Sequence, residues 1–300
     1  EDVRPYLGGD PADPSVPGDE FHMNFHFPLM PRIFMALARA DRTPIEQILA
    51  RTPPIPANCQ WGIFLRCHDE LTLEMVTPDE RRFMWDFYAP EPRMRLNLGI
   101  RRRLAPLLDN DRRKIEVANS MLFTLPGSPF IYYGDEIGMG DNIWLNDRDG
   151  VRTPMQWTAQ AGGGFSEAPT EKWYTLAIQE APYAPEFVNV EAQQADPASL
   201  FNRMRRMIAV RKTTPALSWG TFEWVDDAPT AVAAYWRTFH AARLLVLNNL
   251  SAEPQTVKLP LPAGAGAPYT LLASPGVSVS RQNDAIVVRL EAYHYLWLSV

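Results

Sequence analysis

Cysteine and histidine are scarce in this 300-residue chain, two of the first and five of the second. Cys59 and Cys67 stand eight residues apart. On or beside one strand, at about 3.3 Å per residue, they lie far beyond disulfide reach. Free thiols predict a reducing, cytoplasmic setting. No run of about 18 apolar residues is present, which predicts no membrane contact, and no signal-peptide pattern is visible. Excess positive charge is lacking as well. A net charge of −6 argues against a nucleic-acid partner. The densest basic spot, Arg101-Arg102-Arg103 followed by Arg112-Arg113-Lys114, is interrupted by Asp109 and Asp111 and reads as solvated helix surface. His22 and His26 do not suggest a metal site. On a strand, positions i and i+4 are about 13 Å apart, too far to share one ion.

What the chain does have is apolar residue, 46% of it, enough for a sizeable core in two units. The most informative stretch is Gly62-Ile63-Phe64-Leu65-Arg66-Cys67-His68-Asp69-Glu70-Leu71-Thr72. A short apolar run stopping on four polar side chains fits a strand buried on both faces. In parallel α/β folds the carboxyl ends of such strands open onto the cleft where chemistry happens. An arginine, an imidazole and two carboxylates at one strand end are costly in a core and useful in an active site.

Before it, Phe21 to Phe27 alternates as a strand does, and Pro28 and Pro31 open a helix over 33–40. A second short helix follows over 44–50 behind a Thr43 cap. The segment 90–110 reads as irregular, and 112–125 as an amphipathic helix closed by Pro126-Gly127. A further buried strand, 129–133, ends at Gly134-Asp135-Glu136, whose carboxylates are read as bracing the strand-end loop. Strand, polar strand end, loop and helix thus repeat as an α/β barrel requires. From 140 to 194 there is little periodicity, yet Trp144, Trp157, Phe165, Trp173, Tyr174 and Tyr183 make it too aromatic for disorder. Asp196-Pro197 caps a helix over 198–212. Beyond it, short runs at 221–225, 231–239, 244–249, 256–259, 269–272, 285–290 and 293–298 predict an antiparallel β-sandwich, with the domain boundary near 217.

Together, the His68-Asp69 strand end, Tyr132-Tyr133-Gly134-Asp135-Glu136, Arg152-Thr153-Pro154-Met155-Gln156-Trp157 and the terminal β domain resemble glycoside hydrolase family 13, the α-amylase superfamily. The fuller texts FLRCHDELTLEMV (64–76), IYYGDEIGMGDNIWLNDRDGVRTPMQW (131–157) and VNVEAQQ (188–194) are similar to its branch that interconverts maltose and trehalose. The resemblance covers essentially the whole chain. It implies the last three strands of a TIM (β/α)8 barrel over 1–216, with 140–194 as an active-site loop, and the sandwich over 217–300. It implies that Asp69 is the carboxylate steadying an oxocarbenium-like transition state and that His68 donates to the same ring. By the same likeness Arg152 reaches the non-reducing glucose, and Glu74 touches the acceptor side. The family's usual Asn before His-Asp is Cys67 here, a weaker donor. No cofactor is expected for the chemistry, no metal ligand is assigned, and a structural calcium would belong to the portion upstream. Maltose and trehalose are the expected small-molecule partners, with self-association left open. Retaining transfer needs two carboxyl groups about 5 Å apart, and in the family both stand on earlier strands. The start at Glu1-Asp2-Val3 is accordingly read as a piece cut from a longer protein, inactive alone and with two open strand edges. A hydrolytic α-glucosidase and a non-catalytic carbohydrate-binding remnant are the competing readings.

Overall fold

The structure, a computed structural model, describes residues 3–10, 12–261 and 267–300. In chain order it runs β1 (Met23–Phe25), α1 (Leu29–Arg39), α2 (Thr43–Arg51), β2 (Gln60–Phe64), α3 (Pro78–Tyr88), β3 (Arg95–Leu96), β4 (Gly99–Ile100), α4 (Leu104–Leu107), α5 (Arg112–Thr124) and β5 (Ser128–Phe130). It continues with α6 (Val190–Ala195), α7 (Leu200–Lys212), α8 (Pro215–Trp219), β6 (Thr221–Trp224), β7 (Val232–Phe239), β8 (Ala242–Asn249), β9 (Gln255–Pro260), β10 (Tyr269–Ala273), β11 (Ser278–Gln282), β12 (Ala285–Leu290) and β13 (Tyr295–Ser299). The chain forms two compact units, interleaved in sequence: one from Glu1–Phe64, Ser120–Phe130 and Val210–Val300, the other from Leu65–Asn119 and Ile131–Ala209.

In the first unit β1, β2 and β5 form a parallel sheet in that order, with Phe25 opposite Gly62 and Phe64 opposite Phe130. Gly62 lets the rings close over the strand: a Cβ there would stand 3.0 Å from the Phe130 ring and 3.2 Å from Phe25. Phe25 packs on Phe64 and Phe130 with ring centroids 5.4 and 4.9 Å apart. The expected strands are real but shorter, because Phe21 and Phe27 lie outside the three-residue ladder. The expectation of burial on both faces holds for Ile63 and Phe64 of β2. It fails for 129–133, where Phe130 and Ile131 stay 42% and 40% exposed. His22 is exposed, whereas His26 is buried and serves α1: its Nδ1 accepts from the Leu29 N–H at 3.1 Å, and Nε2 meets Thr52 Oγ1 at 2.6 Å.

The same unit holds two antiparallel sheets, β10-β13-β8-β7-β6 and β11-β12-β9. Alternate residues of both, among them Val232, Ala234, Leu245, Leu247, Val257, Leu259, Ile286, Val288 and Leu296, meet in one apolar core. That is the sandwich the short runs predict, with β11 as an eighth strand missed in the sequence. Buried cations tie its neighbours down. Arg237 donates to the Thr124 and Gly220 carbonyls at 2.7 and 3.0 Å, and Arg211 to those of Phe123 and Gly127 at 2.5 and 2.8 Å.

In the second unit α3 begins with a complete capping box. Thr77 Oγ1 accepts from the Glu80 N–H at 3.2 Å, Glu80 Oε2 accepts from the Thr77 N–H at 2.8 Å, and Pro78 fills the first helical position. The long segment after β5 holds four 3-10 turns, at Asp135–Ile137, Asp149–Val151, Ala161–Gly164 and Thr170–Lys172, before α6.

Candidate active site

β2 leads directly into the turn 65–72, which is wound around a buried guanidinium. Arg66, 2% exposed, donates from Nε to the Arg102 carbonyl at 2.6 Å and from Nη2 to the Asp69 carbonyl at 2.9 Å. Leu71 then pairs with Ile100 by two backbone bonds of 2.8 and 3.0 Å. Glycine is required beside that pair, since a Cβ on Gly99 would fall 2.5 Å from Glu70 Cγ and 2.6 Å from the Leu71 oxygen.

Held this way, Asp69 Oδ1 accepts from the Glu70 N–H at 2.8 Å and from Arg148 Nε. Arg148 also pairs with Glu70 Oε2 at 3.1 Å and Asp147 Oδ1 at 2.7 Å, so one cation serves three carboxylates. Glu70 Oε1 accepts from Asn97 at 3.0 Å. Burial pushes the Asp69 carboxyl upward, but its hydrogen bonds with Glu70 and Arg148 outweigh that and hold it down at about 2. Burial and the neighbouring Asp69 push Glu70 the other way. At neutral pH Asp69 is therefore a charged acceptor, suited to sugar hydroxyls and to positive charge developing on a sugar ring.

The arginine at the Asp69 carboxylate is thus Arg148, which the sequence reading did not single out. Arg152 reaches the same turn by another atom, donating from Nε to the His68 carbonyl at 2.7 Å. His68 is exposed. Glu74 is exposed as well, its N–H directed at Thr72 Oγ1 3.4 Å away. Cys67 is half-buried and free, with Sγ 3.8 Å from the Asp69 carbonyl. The signal that could have found Arg148 is its place in Asn-Asp-Arg-Asp, flanked by acids and four residues before Arg152.

The reading of Arg101-Arg102-Arg103 as solvated helix surface is corrected. These residues lie in an extended stretch ahead of α4, where their guanidinium groups satisfy loop carbonyls and acids that helical structure would otherwise serve. Arg101 donates to the carbonyls of Ile143, Leu145 and Asp147 at 3.0, 2.7 and 2.6 Å, shaping the loop that carries Arg148. Arg102 grips both oxygens of buried Asp141 at 2.9 and 3.0 Å. Arg103, fully buried, donates to the Tyr133 carbonyl at 2.6 Å and stands 4.0 Å from Asp135. Burial raises the Asp135 carboxyl to about 7 even with Arg103 and Arg66 opposing.

Beside this cluster lies a cavity of about 690 Å³ lined by Tyr133, Glu136, Arg152, Trp157, Trp173 and Tyr174, among others. Among the described residues no group of three or more His, Cys, Asp or Glu side chains converges as a metal site. No helix among them is long and apolar enough to cross a membrane.

Residues 101–220 match the alpha amylase catalytic domain, and 219–290 match a domain of unknown function, DUF3459. The trehalose synthase/amylase of Mycobacterium tuberculosis is 55% identical over 263 residues, 87% of this chain and 43% of that protein. The trehalose synthase of a Pimelobacter species is 54% identical over 265 residues, again 87% of this chain and 46% of its own length. The chain therefore spans less than half the length of these relatives. Among solved structures, an alpha-amylase from H. orenii superposes with a TM-score of 0.67 at 24% identity, over 93% of this chain and 49% of that one. Fold and sequence converge: the chain belongs to the α-amylase family, glycoside hydrolase family 13, and aligns within it with the trehalose synthases.

Proposed function

We propose that this chain is part of an enzyme that isomerises maltose to trehalose by retaining double displacement at an α-glucosidic bond. The observation that carries the reading is Asp69, an ionised carboxylate fixed by Arg148 at the exit of β2. The names borne by the relatives support it. In this reading β1, β2 and β5 are the last three strands of a (β/α)8 barrel over 1–216, and 217–300 is the terminal sandwich domain. The nucleophile and the acid/base belong to the part of the relatives' length that this chain does not match.

Asp69 steadies the oxocarbenium-like transition state, and His68, exposed beside it, donates to the same ring. Arg148 holds Asp69 charged. Arg152 braces the turn through His68 and presents its remaining N–H groups to the glucose, while Glu74 serves the acceptor side. The departing glucose is retained, turns, and attacks through its anomeric hydroxyl to give the α,α-1,1 linkage. Water must be excluded or hydrolysis wins, and the aromatic segment 140–194 is the lid that excludes it. The chemistry needs no cofactor, and any structural calcium is placed outside these residues. The setting is cytoplasmic, with sugars as partners and neither nucleic acid nor membrane involved. Incubating the whole protein with maltose and following anomeric protons by NMR tests the reading. Trehalose accumulating ahead of glucose supports it, whereas glucose alone would identify a hydrolytic α-glucosidase.

A further inference from the structure

Arg148 reaches Asp69 from an irregular loop, 142–148, and a flexible loop would not aim a long side chain at one carboxylate. This loop is closed at its neck, where the Asn142 N–H donates to the Gly150 carbonyl at 3.0 Å. Only glycine fits at 150, since a Cβ there would lie 2.1 Å from the Asn142 oxygen. Between the ends, the main-chain carbonyls have no helix or sheet ladder to enter, and each needs a donor from elsewhere. Three alternate ones, those of Ile143, Leu145 and Asp147, turn onto the guanidinium of Arg101 at 3.0, 2.7 and 2.6 Å. The remaining Nε–H of Arg101 donates to the Arg93 carbonyl at 2.7 Å. Arg93 in turn lays its own guanidinium over the Trp144 ring, 4.8 Å from the centroid. The loop is thus wound on one cation and clasped by a second.

The backbone just ahead of Arg148 depends most on that grip. Asp147 has a φ of +43°, in the left-handed region that a β-carbon disfavours. A residue stays there when its surroundings over-determine it. Arg101 Nη1 holds the Asp147 carbonyl, and Arg148 Nη1 holds the Asp147 carboxylate at 2.7 Å. From this reversal the Arg148 side chain meets Asp69 and Glu70. A guanidinium suits the task, because its N–H groups form a rigid planar fork that can serve several carbonyls at once. Asp69 Oδ1 itself takes its hydrogen bonds from the Glu70 N–H and Arg148, not from Arg101.

We propose that Arg101 is a positioning residue for the carboxylate of Asp69: it fixes the loop 142–148, and the loop delivers Arg148. The bearing on catalysis rests on the proposed function, in which Asp69 is the working carboxylate. The placement of Arg148 does not.

The test follows the Asp69 titration in the 300-residue chain by carbon-13 carboxyl NMR, with circular dichroism reporting the fold. Arg101→Met removes the fork and keeps an unbranched stem, and Asp69 is expected to titrate higher by about one pH unit. In an Arg148→Met background the same substitution is expected to move Asp69 no further, because the effect travels through Arg148. A direct effect of the Arg101 charge, or a general loosening of the chain, would shift Asp69 in both backgrounds. Gly150→Ala forces the neck apart with both arginines present. It is expected to move Asp69 in the same direction, and it decides the question should Arg101→Met fail to fold. An Asp69 titration left in place by these substitutions would overturn the proposal, and so would a shift that survives in the Arg148→Met background. In the whole protein, Arg101→Met is expected to lower kcat on maltose about tenfold with KM nearly unchanged, since the carboxylate acts in the transition state. A raised Asp69 titration with an unaltered rate would uphold the positioning and count against the proposed function instead.

Discussion

Replacing Arg148 by Met keeps an unbranched apolar stem and removes the cation that Asp69, Glu70 and Asp147 share. In the folded chain the Asp69 carboxyl is held at about 2, against about 3.9 for an unperturbed aspartate. A difference of about two units corresponds to about 2.6 kcal/mol. The Asp69 side chain is 40% exposed, so solvent screening reduces the usable part to about 1 kcal/mol. The sign follows from the depressed value. The folded state binds the proton less readily than the unfolded one, so the contribution is present above about pH 4 and is lost as pH falls toward 2. Glu70 supplies part of that depression, so Arg148→Met should be less stable at pH 7 by at most about 1 kcal/mol, with the gap closing near pH 2. Without the guanidinium, burial opposes the charge with only the Glu70 hydrogen bonds left to offset it, and the carboxyl should titrate higher than in the unaltered chain. Carbon-13 carboxyl NMR on Asp69, run beside urea unfolding at both pH values, reads both effects. If Asp69 still titrates near 2 in the variant, the claim that Arg148 holds it charged is wrong.

Other expectations can be checked on the same chain. Gly99→Ala drives a methyl into Glu70 and the Leu71 carbonyl, which the Ile100 pairing holds in place; calorimetry should show a loss of about 1–3 kcal/mol. Thr77→Ala removes the cap of α3 and should cost about 1 kcal/mol in urea unfolding. His26 titrates at about 4 when folded because burial disfavours its charge. Stability from His26 is thus complete above about pH 6.5 and declines through pH 4, by about 3 kcal/mol in all. His26→Gln should flatten that part of the stability–pH profile, and an unchanged slope would remove the assignment.

Much of the fold was legible because local rules and tertiary packing agree. The run Ile63–Leu65 stops on polar residues, and β2 stops there too. The period-two runs after Pro215 became the sandwich, since their apolar residues had a second sheet to bury against. α3 was overlooked although Thr77-Pro78-Asp79-Glu80 announces it, because its apolar face is narrow: only Met84 and Tyr88 are buried. β11 was missed because Ser278–Gln282 is a largely exposed edge strand. Asp69 stood out by its strand-end position. Arg148 did not, since its partner lies 79 residues away and the flanking acids of Asn-Asp-Arg-Asp do not say which distant carboxylate it meets. Arg101-Arg102-Arg103 misled for a related reason. A charge run looks solvated until the loop carbonyls it serves, some forty residues on, are known.

The most direct test of the account is the product formed from maltose by the whole protein, with and without Asp69→Asn, read by proton NMR of the anomeric region. Trehalose exceeding glucose, with the rate falling at least about a hundredfold in the variant, is the predicted result. Glucose as the sole product, or a variant that still makes trehalose at the original rate, would contradict it.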